Sequence, residues 1–250
     1  MAINIAINGF GRIGRLIFRA FNENNIKNAE IIAINDLGSI EANAHLANYD
    51  TTHGEMKNKI NYTKSGFIIG NKNIRVLSEK LPEKLPWKKL GVDIVLECTG
   101  IFTSGEASKT HISAGAKKVI ISAPAKNVDA TIVQGVNNKI LNKNHNIISN
   151  GSCTTNCLAP IAMILNKSFG IISGYMTTIH SFTGDQRTLD TLHPDLRRSR
   201  TASESLIPTS TGAAKALGLV LPELAGKLDG TAIRVPTSNV SLIDLTFVSK

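Results

Sequence analysis

The run Ser149-Asn150-Gly151-Ser152-Cys153-Thr154-Thr155-Asn156-Cys157 sets a thiol among hydroxyl and amide side chains. Strand-like Ile147 and Ile148 lead into it and an apolar, helix-like run from Leu158 to Leu165 follows. This pattern predicts a strand-to-helix junction with Cys153 on the first helical turn. Free backbone N–H groups and the helix dipole favour an anion there, which lowers a thiol's pKa and raises its thiolate fraction. An inert core cysteine needs none of the polar neighbours Ser152, Thr154, Thr155 and Asn156. Cys153 is read as a nucleophile.

A thiolate nucleophile needs a base or cation beside it. His180, at the end of a strand pattern that runs into Ser181-Phe182-Thr183-Gly184-Asp185-Gln186, has the right chemistry, although a lone histidine also serves as a structural hydrogen-bonder. Pro208-Thr209-Ser210-Thr211-Gly212 is expected to open a helix, offering hydroxyls and N–H groups to an anion or serving as an ordinary N-cap. Arg234, in Ile233-Arg234-Val235-Pro236, is a charge within a strand pattern: an exposed strand arginine, or the cation that a phosphorylated substrate would need.

A second chemistry opens the chain. Gly9-Phe10-Gly11-Arg12-Ile13-Gly14 follows the strand pattern Ile3–Ile7 and begins a helix. Glycines at this spacing permit a tight turn, a close approach of backbone N–H groups to a pyrophosphate, and helix–strand packing. Asp36 ends the next strand pattern, 22 residues past Gly14, where a carboxylate accepts from a ribose diol and repels a 2′-phosphate. The pattern predicts a dinucleotide site with NAD as cofactor.

The elements that must position these residues divide the chain in two. Over residues 1–150, strands at Ile3–Ile7, Ile31–Asn35, Val92–Glu97, Val119–Ser122 and Ile147–Ser149 alternate with helices at Arg12 to about Glu23 and Ser104 to about Ala114, a Rossmann-type α/β order with a mostly parallel sheet. Thr103-x-x-Glu106 reads as a capping box for the second helix, and residues 60–77 as antiparallel strands turning at Gly70-Asn71-Lys72-Asn73. Over residues 151–250, a helix to about Ser168 precedes strands at Gly174–His180, Ala232–Val235 and Val240–Val248, with a polar segment from Ser181 to Pro208. This order predicts an α+β catalytic domain with a mostly antiparallel sheet, incomplete where the chain stops after a strand-like run at Lys250.

Composition narrows the class further. Of 250 residues, 42% are hydrophobic and 19% charged, with a net charge of +9. The basic residues are dispersed, so nucleic acid is not expected as the main partner despite the charge. No apolar run approaches the roughly 18 residues of a membrane span. Met1-Ala2-Ile3 enters a strand pattern without a signal-peptide n-region, and three cysteines imply no disulfide framework, so a reducing cytoplasm is expected. Cys153 and Cys157 lie four apart rather than in a Cys-x-x-Cys pair, which disfavours a redox pair and zinc, and no metal is expected.

Taken together, Ile7-Asn8-Gly9-Phe10-Gly11-Arg12-Ile13-Gly14-Arg15, Ser-Cys-Thr-Thr-Asn-Cys, His-Ser-Phe-Thr-Gly-Asp-Gln, Asp-Leu-Arg-Arg and Pro-Thr-Ser-Thr-Gly-Ala-Ala resemble the phosphorylating glyceraldehyde-3-phosphate dehydrogenases, collinearly over the whole chain. The resemblance implies NAD-dependent oxidation of glyceraldehyde 3-phosphate, with inorganic phosphate, to 1,3-bisphosphoglycerate through a cysteine thioester. Cys153 would be the nucleophile and His180 its activator. Ser152, Thr154, Thr183, Arg198, Thr211, Gly212 and Arg234 would form two anion pockets. Gly9, Gly11, Arg12, Ile13, Gly14, Asp36, Lys80, Thr99, Gly100 and Ser122 would line the NAD site. It also implies a homotetramer, with residues 181–205 reaching toward a neighbouring subunit. Within the same resemblance, erythrose-4-phosphate dehydrogenase and a catalytically impaired dinucleotide- or RNA-binding fragment are the alternatives. Three positions depart from the family pattern: Gly151 stands for the usual alanine, which would loosen the turn; Lys80 stands for an arginine near the adenine; and Thr191-Leu192 replaces a Leu-Pro pair. Family members also continue beyond residue 250.

Overall fold

The computed structural model describes residues 2–24 and 26–250; Met1 and Asn25 lie outside them, and with Met1 the first residue of the expected leaderless N-terminus. In strand β1 (Ile3–Asn8), successive residues Ala6 and Ile7 are both fully buried on opposite faces of a sheet. A strand buried on both sides belongs to a parallel sheet covered by helices. The other first-half elements are α1 (Arg12–Glu23), β2 (Ala29–Asn35), α2 (Ile40–Asn48), β3 (Tyr49–Asp50), β4 (Gly54–Glu55), β5 (Asn61–Thr63), β6 (Gly66–Ile69), β7 (Lys72–Leu77), α3 (Trp87–Leu90), β8 (Ile94–Glu97), α4 (Gly105–Ser113), β9 (Lys118–Ile121), β10 (Ala130–Thr131) and β11 (Ile147–Ser149).

Among the described residues a nine-stranded sheet runs β10-β11-β9-β8-β1-β2-β7-β6-β5. Its pairs are parallel from β10 to β7 and antiparallel at β7-β6-β5. Ile7, Phe10, Phe18, Ile34 and Phe67 pack one face, and Ala6, Ala33, Trp87, Val95 and Val119 the other. Order reverses at β1, which lies between β2 and β8, so the crevice of a doubly wound sheet opens at the carboxyl ends of these strands.

The second half consists of α5 (Cys153–Phe169), β12 (Ile171–Ser181), β13 (Ile207–Ser210), α6 (Ala213–Ala216), β14 (Leu228–Val235) and β15 (Ser241–Ser249). The strands form one sheet in the order β13-β14-β12-β15. Two of its three pairings are antiparallel; β12 and β14 run parallel, with His180 opposite Arg234. Leu158, Ala159 and Ala162 of α5 pack with Met176, Leu217, Leu221 and Leu228 into a separate core.

The chain divides into two compact units: everything up to Thr131 with Leu141–Asn150, and Ile132–Ile140 with Gly151–Lys250. Residues 132–140, expected in the first half, therefore go with the second, because Val133 is buried in that unit's core. Several expected elements shift. Ser104, not Thr103, caps α4: its side chain accepts from Ala107 N at 3.1 Å. Pro208-Thr209-Ser210 is part of edge strand β13 rather than a helix start, and α6 opens after Gly212. A proline is tolerated there because an edge strand leaves one row of N–H groups unpaired. The antiparallel strands over 60–77 form as expected, but β7 also joins β2 in parallel and extends the main sheet. Among the described residues, no helix is long and apolar enough to cross a membrane.

Candidate active site

In the first unit the expected cofactor residues gather along the carboxyl edge of the sheet. Gly9 sits at φ +90°, and a Cβ there would stand 2.6 Å from Thr99 N, so only glycine lets the turn after β1 lie against the turn after β8. A Cβ on Gly14 would meet Gly9 O at 2.2 Å, whereas one on Gly11 would meet nothing within 4 Å. Gly11 is the N-cap of α1, so the first turn has no side-chain cap. That side-chain-free cradle at a helix N-terminus fits a pyrophosphate.

Asp36 follows β2 directly. Its Oδ2 accepts from Phe10 N at 2.8 Å and its Oδ1 from Gly38 N at 2.8 Å and Asn43 Nδ2 at 3.1 Å, which ties the carboxylate to the glycine turn. Arg12 pairs with Asp50 at 2.5 Å, and Ile13 stays 47% exposed beside it. Thr99 packs on Gly9, Gly100 lies next along at φ +72°, and Ser122 N donates to Glu97 O at 3.0 Å. Lys80 is exposed, three residues beyond the end of β7. All ten positions thus lie in loops or first turns at one edge, as a dinucleotide crevice requires.

In the second unit, Cys153 is the first residue of α5, capped by Ser152, whose Oγ accepts from Thr155 N at 2.9 Å. Its sulfur is exposed and lies 3.2 Å from His180 Nε2. Thr154 Oγ1 is 4.0 Å away on the other side. The hydrogen bond with His180, opposed in part by burial, lowers the Cys153 pKa from 9.0 to about 7. The same bond raises the pKa of His180 against the effect of its own burial. Thiol and imidazole thus favour each other's charged form.

The far side of the imidazole is held by a carbonyl and a guanidinium. His180 Nδ1 lies 2.7 Å from Ser181 O and 2.8 Å from Arg234 Nη1, and Arg234 Nη1 lies 3.0 Å from the same carbonyl. A guanidinium only donates and a carbonyl only accepts. Arg234 Nη1 therefore donates to Ser181 O, and in the tautomer with a hydrogen on Nδ1 the ring donates to the same carbonyl. That tautomer leaves Nε2, the nitrogen facing the sulfur, able to take the thiol proton. Arg234, expected either as an exposed strand arginine or as a cation for a phosphorylated substrate, is half-buried; burial and nearby Arg198 lower its pKa. Its buried Nε has no hydrogen-bond partner among the described residues.

The remaining expected anion-pocket residues join this cluster by stages. Thr155 Oγ1 donates to Ala213 O at 3.4 Å, linking the start of α5 to that of α6, where Gly212 is the N-cap and Thr211 Oγ1 accepts from Ala213 N at 3.2 Å. Arg198 donates to Thr209 Oγ1 (2.9 Å), Ser210 O (3.2 Å) and Asp185 Oδ2 (2.7 Å). Thr183 is exposed, two residues before Asp185. Sequence reasoning missed the Asp185 and Thr209 partners of Arg198, and the Ser181 carbonyl. Asp185 stood inside the quoted His-Ser-Phe-Thr-Gly-Asp-Gln run, and its carboxylate next to a cationic segment was the available signal. Although burial opposes it, hydrogen bonds from His193 and Arg198 hold Asp185 below the usual carboxylate range.

A doubly wound sheet with a glycine-turn dinucleotide crevice, accompanied by a unit that carries an activated thiol, defines an NAD-dependent oxidoreductase. Residues 3–105 match the family model for the NAD-binding domain of glyceraldehyde 3-phosphate dehydrogenase and residues 152–250 that for its C-terminal domain. The chain is 57% identical over 250 residues to glyceraldehyde-3-phosphate dehydrogenase of Xanthobacter flavus, covering 100% of this chain and 75% of that one. It is 58% identical to the enzyme of Zymomonas mobilis (99% and 74%) and 56% identical to that of Geobacillus stearothermophilus (98% and 73%). It belongs to the glyceraldehyde-3-phosphate dehydrogenase family, and spans about three quarters of the length of these relatives.

Proposed function

We propose that this protein oxidises glyceraldehyde 3-phosphate with NAD and inorganic phosphate to 1,3-bisphosphoglycerate. The observation that carries the reading is the 3.2 Å approach of Cys153 Sγ to His180 Nε2, with the ring held from behind by Ser181 and Arg234. His180 takes the thiol proton, the thiolate attacks the aldehyde carbon, and the imidazolium returns that proton to the carbonyl oxygen, giving a hemithioacetal on Cys153 and a neutral His180. His180 then removes the hemithioacetal hydroxyl proton as the carbon is oxidised, leaving a thioester. Bound NAD supplies the acceptor for the hydride lost from that carbon. Phosphate attacks the thioester, and the sulfur leaves as the thiolate that His180 stabilises.

Arg234 and Arg198, with the N–H groups around Thr211 and Gly212 and the hydroxyls of Ser152, Thr154 and Thr183, would hold the substrate phosphate and the attacking phosphate. In the cofactor crevice, the N–H groups of α1 around Arg12 and Ile13 would take the pyrophosphate and Asp36 the ribose, with Lys80, Thr99, Gly100 and Ser122 lining the groove. We read residues 1–150 as the cofactor domain and 151–250 as the catalytic one, the short segment 132–140 excepted. The proposal includes a homotetramer working in the cytoplasm. Leu189, Leu192, Leu196 and Leu206 support an assembly, because they are 77%, 98%, 81% and 67% exposed within one segment, an apolar surface suited to burial against another subunit. Three free cysteines suit a reducing compartment.

The test is NADH formation from glyceraldehyde 3-phosphate, with and without phosphate, in the parent and in Cys153→Ser. Phosphate-dependent turnover in the parent that is lost in the variant supports the reading; turnover that survives in the variant overturns it. A higher kcat/KM with erythrose 4-phosphate would move the substrate assignment to the tetrose.

A further inference from the structure

A buried polar chain lies beneath the cofactor crevice and takes no part in the chemistry above. Glu97, the last residue of β8, is 1% exposed, His111 of α4 is fully buried and Asn8 of β1 is 2% exposed. Glu97 Oε2 faces Asn8 Nδ2 at 2.6 Å and His111 Nε2 at 3.0 Å. Its Oε1 accepts from Thr99 N at 2.8 Å and from the Thr99 hydroxyl. Trp87 Nε1 lies 3.0 Å from His111 Nδ1. An indole N–H only donates, so His111 Nδ1 accepts, and its hydrogen sits on Nε2 pointing at Glu97. His111 thereby donates from Nε2, and the two oxygens of Glu97 accept four bonds in the interior.

The chain continues outward from there. Asn8 Oδ1 accepts from Asn35 Nδ2 at 2.7 Å; Asn35 Nδ2 also donates to Glu79 O, and Asn35 Oδ1 accepts from Glu79 N, both at 2.8 Å. Thr99 Oγ1 in turn accepts from Ile101 N at 3.0 Å, closing the turn around Gly100. One network therefore fastens the ends of β1, β2 and β8 and the chain beyond β7. Gly9 packs directly on the Thr99 peptide, so the position of Thr99 also sets the position of the glycine turn.

We propose that Glu97 is a positioning residue for NAD: its buried carboxylate, oriented by His111 and Trp87, fixes the Thr99–Gly100 turn against the glycine turn. It touches no cofactor atom itself and acts through the Thr99 peptide and Asn8. The inference rests on NAD binding alone, not on the choice of aldehyde. Replacing the carboxyl group by an amide leaves Thr99 N and Asn8 Nδ2 facing a group that can also donate, and the two turns lose their common anchor.

The experiment is NAD titration followed through Trp87, the sole tryptophan and itself part of the chain. Glu97→Gln should raise the Kd for NAD by about tenfold, within the range of ordinary site-to-site coupling, and raise KM for NAD more than it lowers kcat. The iodoacetamide reactivity of Cys153 without NAD should stay at the parent value. His111→Phe, which leaves every crevice loop intact, should weaken NAD in the same direction, and the double variant should be no worse than the poorer single one. A lower Tm with NAD affinity within twofold of the parent in both variants would show a merely structural role and overturn the proposal. So would fully additive losses. A parent that binds no NAD would strike down the cofactor assignment and this proposal together.

Discussion

The two units hold negative charge by opposite means. In the first, backbone does it: a glycine turn without side chains and the free N–H groups of α1 make the cradle, and Asp36 is fastened to the turn by Phe10 N. In the second, side chains do it: an imidazole and a hydroxyl approach one sulfur, one guanidinium stands behind the imidazole, and a second is held by Thr209 and Asp185. Backbone sites tolerate changes of side chain but no added Cβ where the chain turns; side-chain sites tolerate small backbone changes but no loss of a partner. The contrast predicts that damage to one site leaves the other intact.

The largest effect should come from the side-chain site. His180→Asn removes the proton acceptor and should lower turnover by about 10²–10⁴-fold, the usual contribution of a positioned general base. Its Kd for NAD should match the parent's; a change of more than about threefold would break the separation drawn here. Next comes Gly9→Ala in the backbone site. Placing an alanine at φ +90° with its Cβ 2.6 Å from Thr99 N should destabilise the first unit by at least about 2 kcal/mol. NAD affinity should fall with it, while the alkylation rate of Cys153 below the melting range stays unchanged.

The smallest effect concerns Gly151, whose φ of +67° places it in the left-handed region. The glycine was expected to loosen the turn before the nucleophile; instead it suits a conformation that strains any residue with a Cβ. Gly151→Ala should therefore destabilise the protein by about 1 kcal/mol, measured by denaturant unfolding, rather than stiffen it. A gain in stability would return the glycine to its expected role.

The same contrast governs how much of the molecule could be read in its sequence. The cofactor turn was legible because its glycines span six residues, and their consequence is local. Strands β1, β8 and β9 were legible as short apolar runs, since a parallel sheet buries both faces. Helix α2 was missed: its small, alanine-rich residues give little periodic contrast, and Ser39, which caps it by accepting from Ala42 N, was not recognised as a start signal. The start of α4 was off by one because Thr103 and Ser104 are chemically alike and only backbone geometry chooses between them. The thiol site was half legible. Cys153 announced itself by its polar neighbours, but His180 lies 27 residues away and Arg234 another 54 beyond. They meet because β12 and β14 pair in parallel with those two residues opposite each other, a register that no local pattern encodes. The Glu97 chain was invisible for the same reason: each member reads alone as an ordinary polar residue at a strand end.

The central claim is that His180 makes Cys153 a thiolate near neutral pH, and the pH dependence of its alkylation tests that most directly. With the thiol lowered to about 7 and the imidazole raised, the thiolate–imidazolium pair forms as pH climbs through the thiol's value and loses its imidazolium partner above that of His180. Iodoacetamide modification of Cys153 should therefore rise with an inflection close to pH 7. In His180→Asn the inflection should move up toward the ordinary thiol value of 9.0. The rate at pH 7 should then fall about five- to tenfold, the loss of thiolate being partly offset by the greater nucleophilicity of a more basic sulfur. Superimposable profiles in the two proteins would contradict the account.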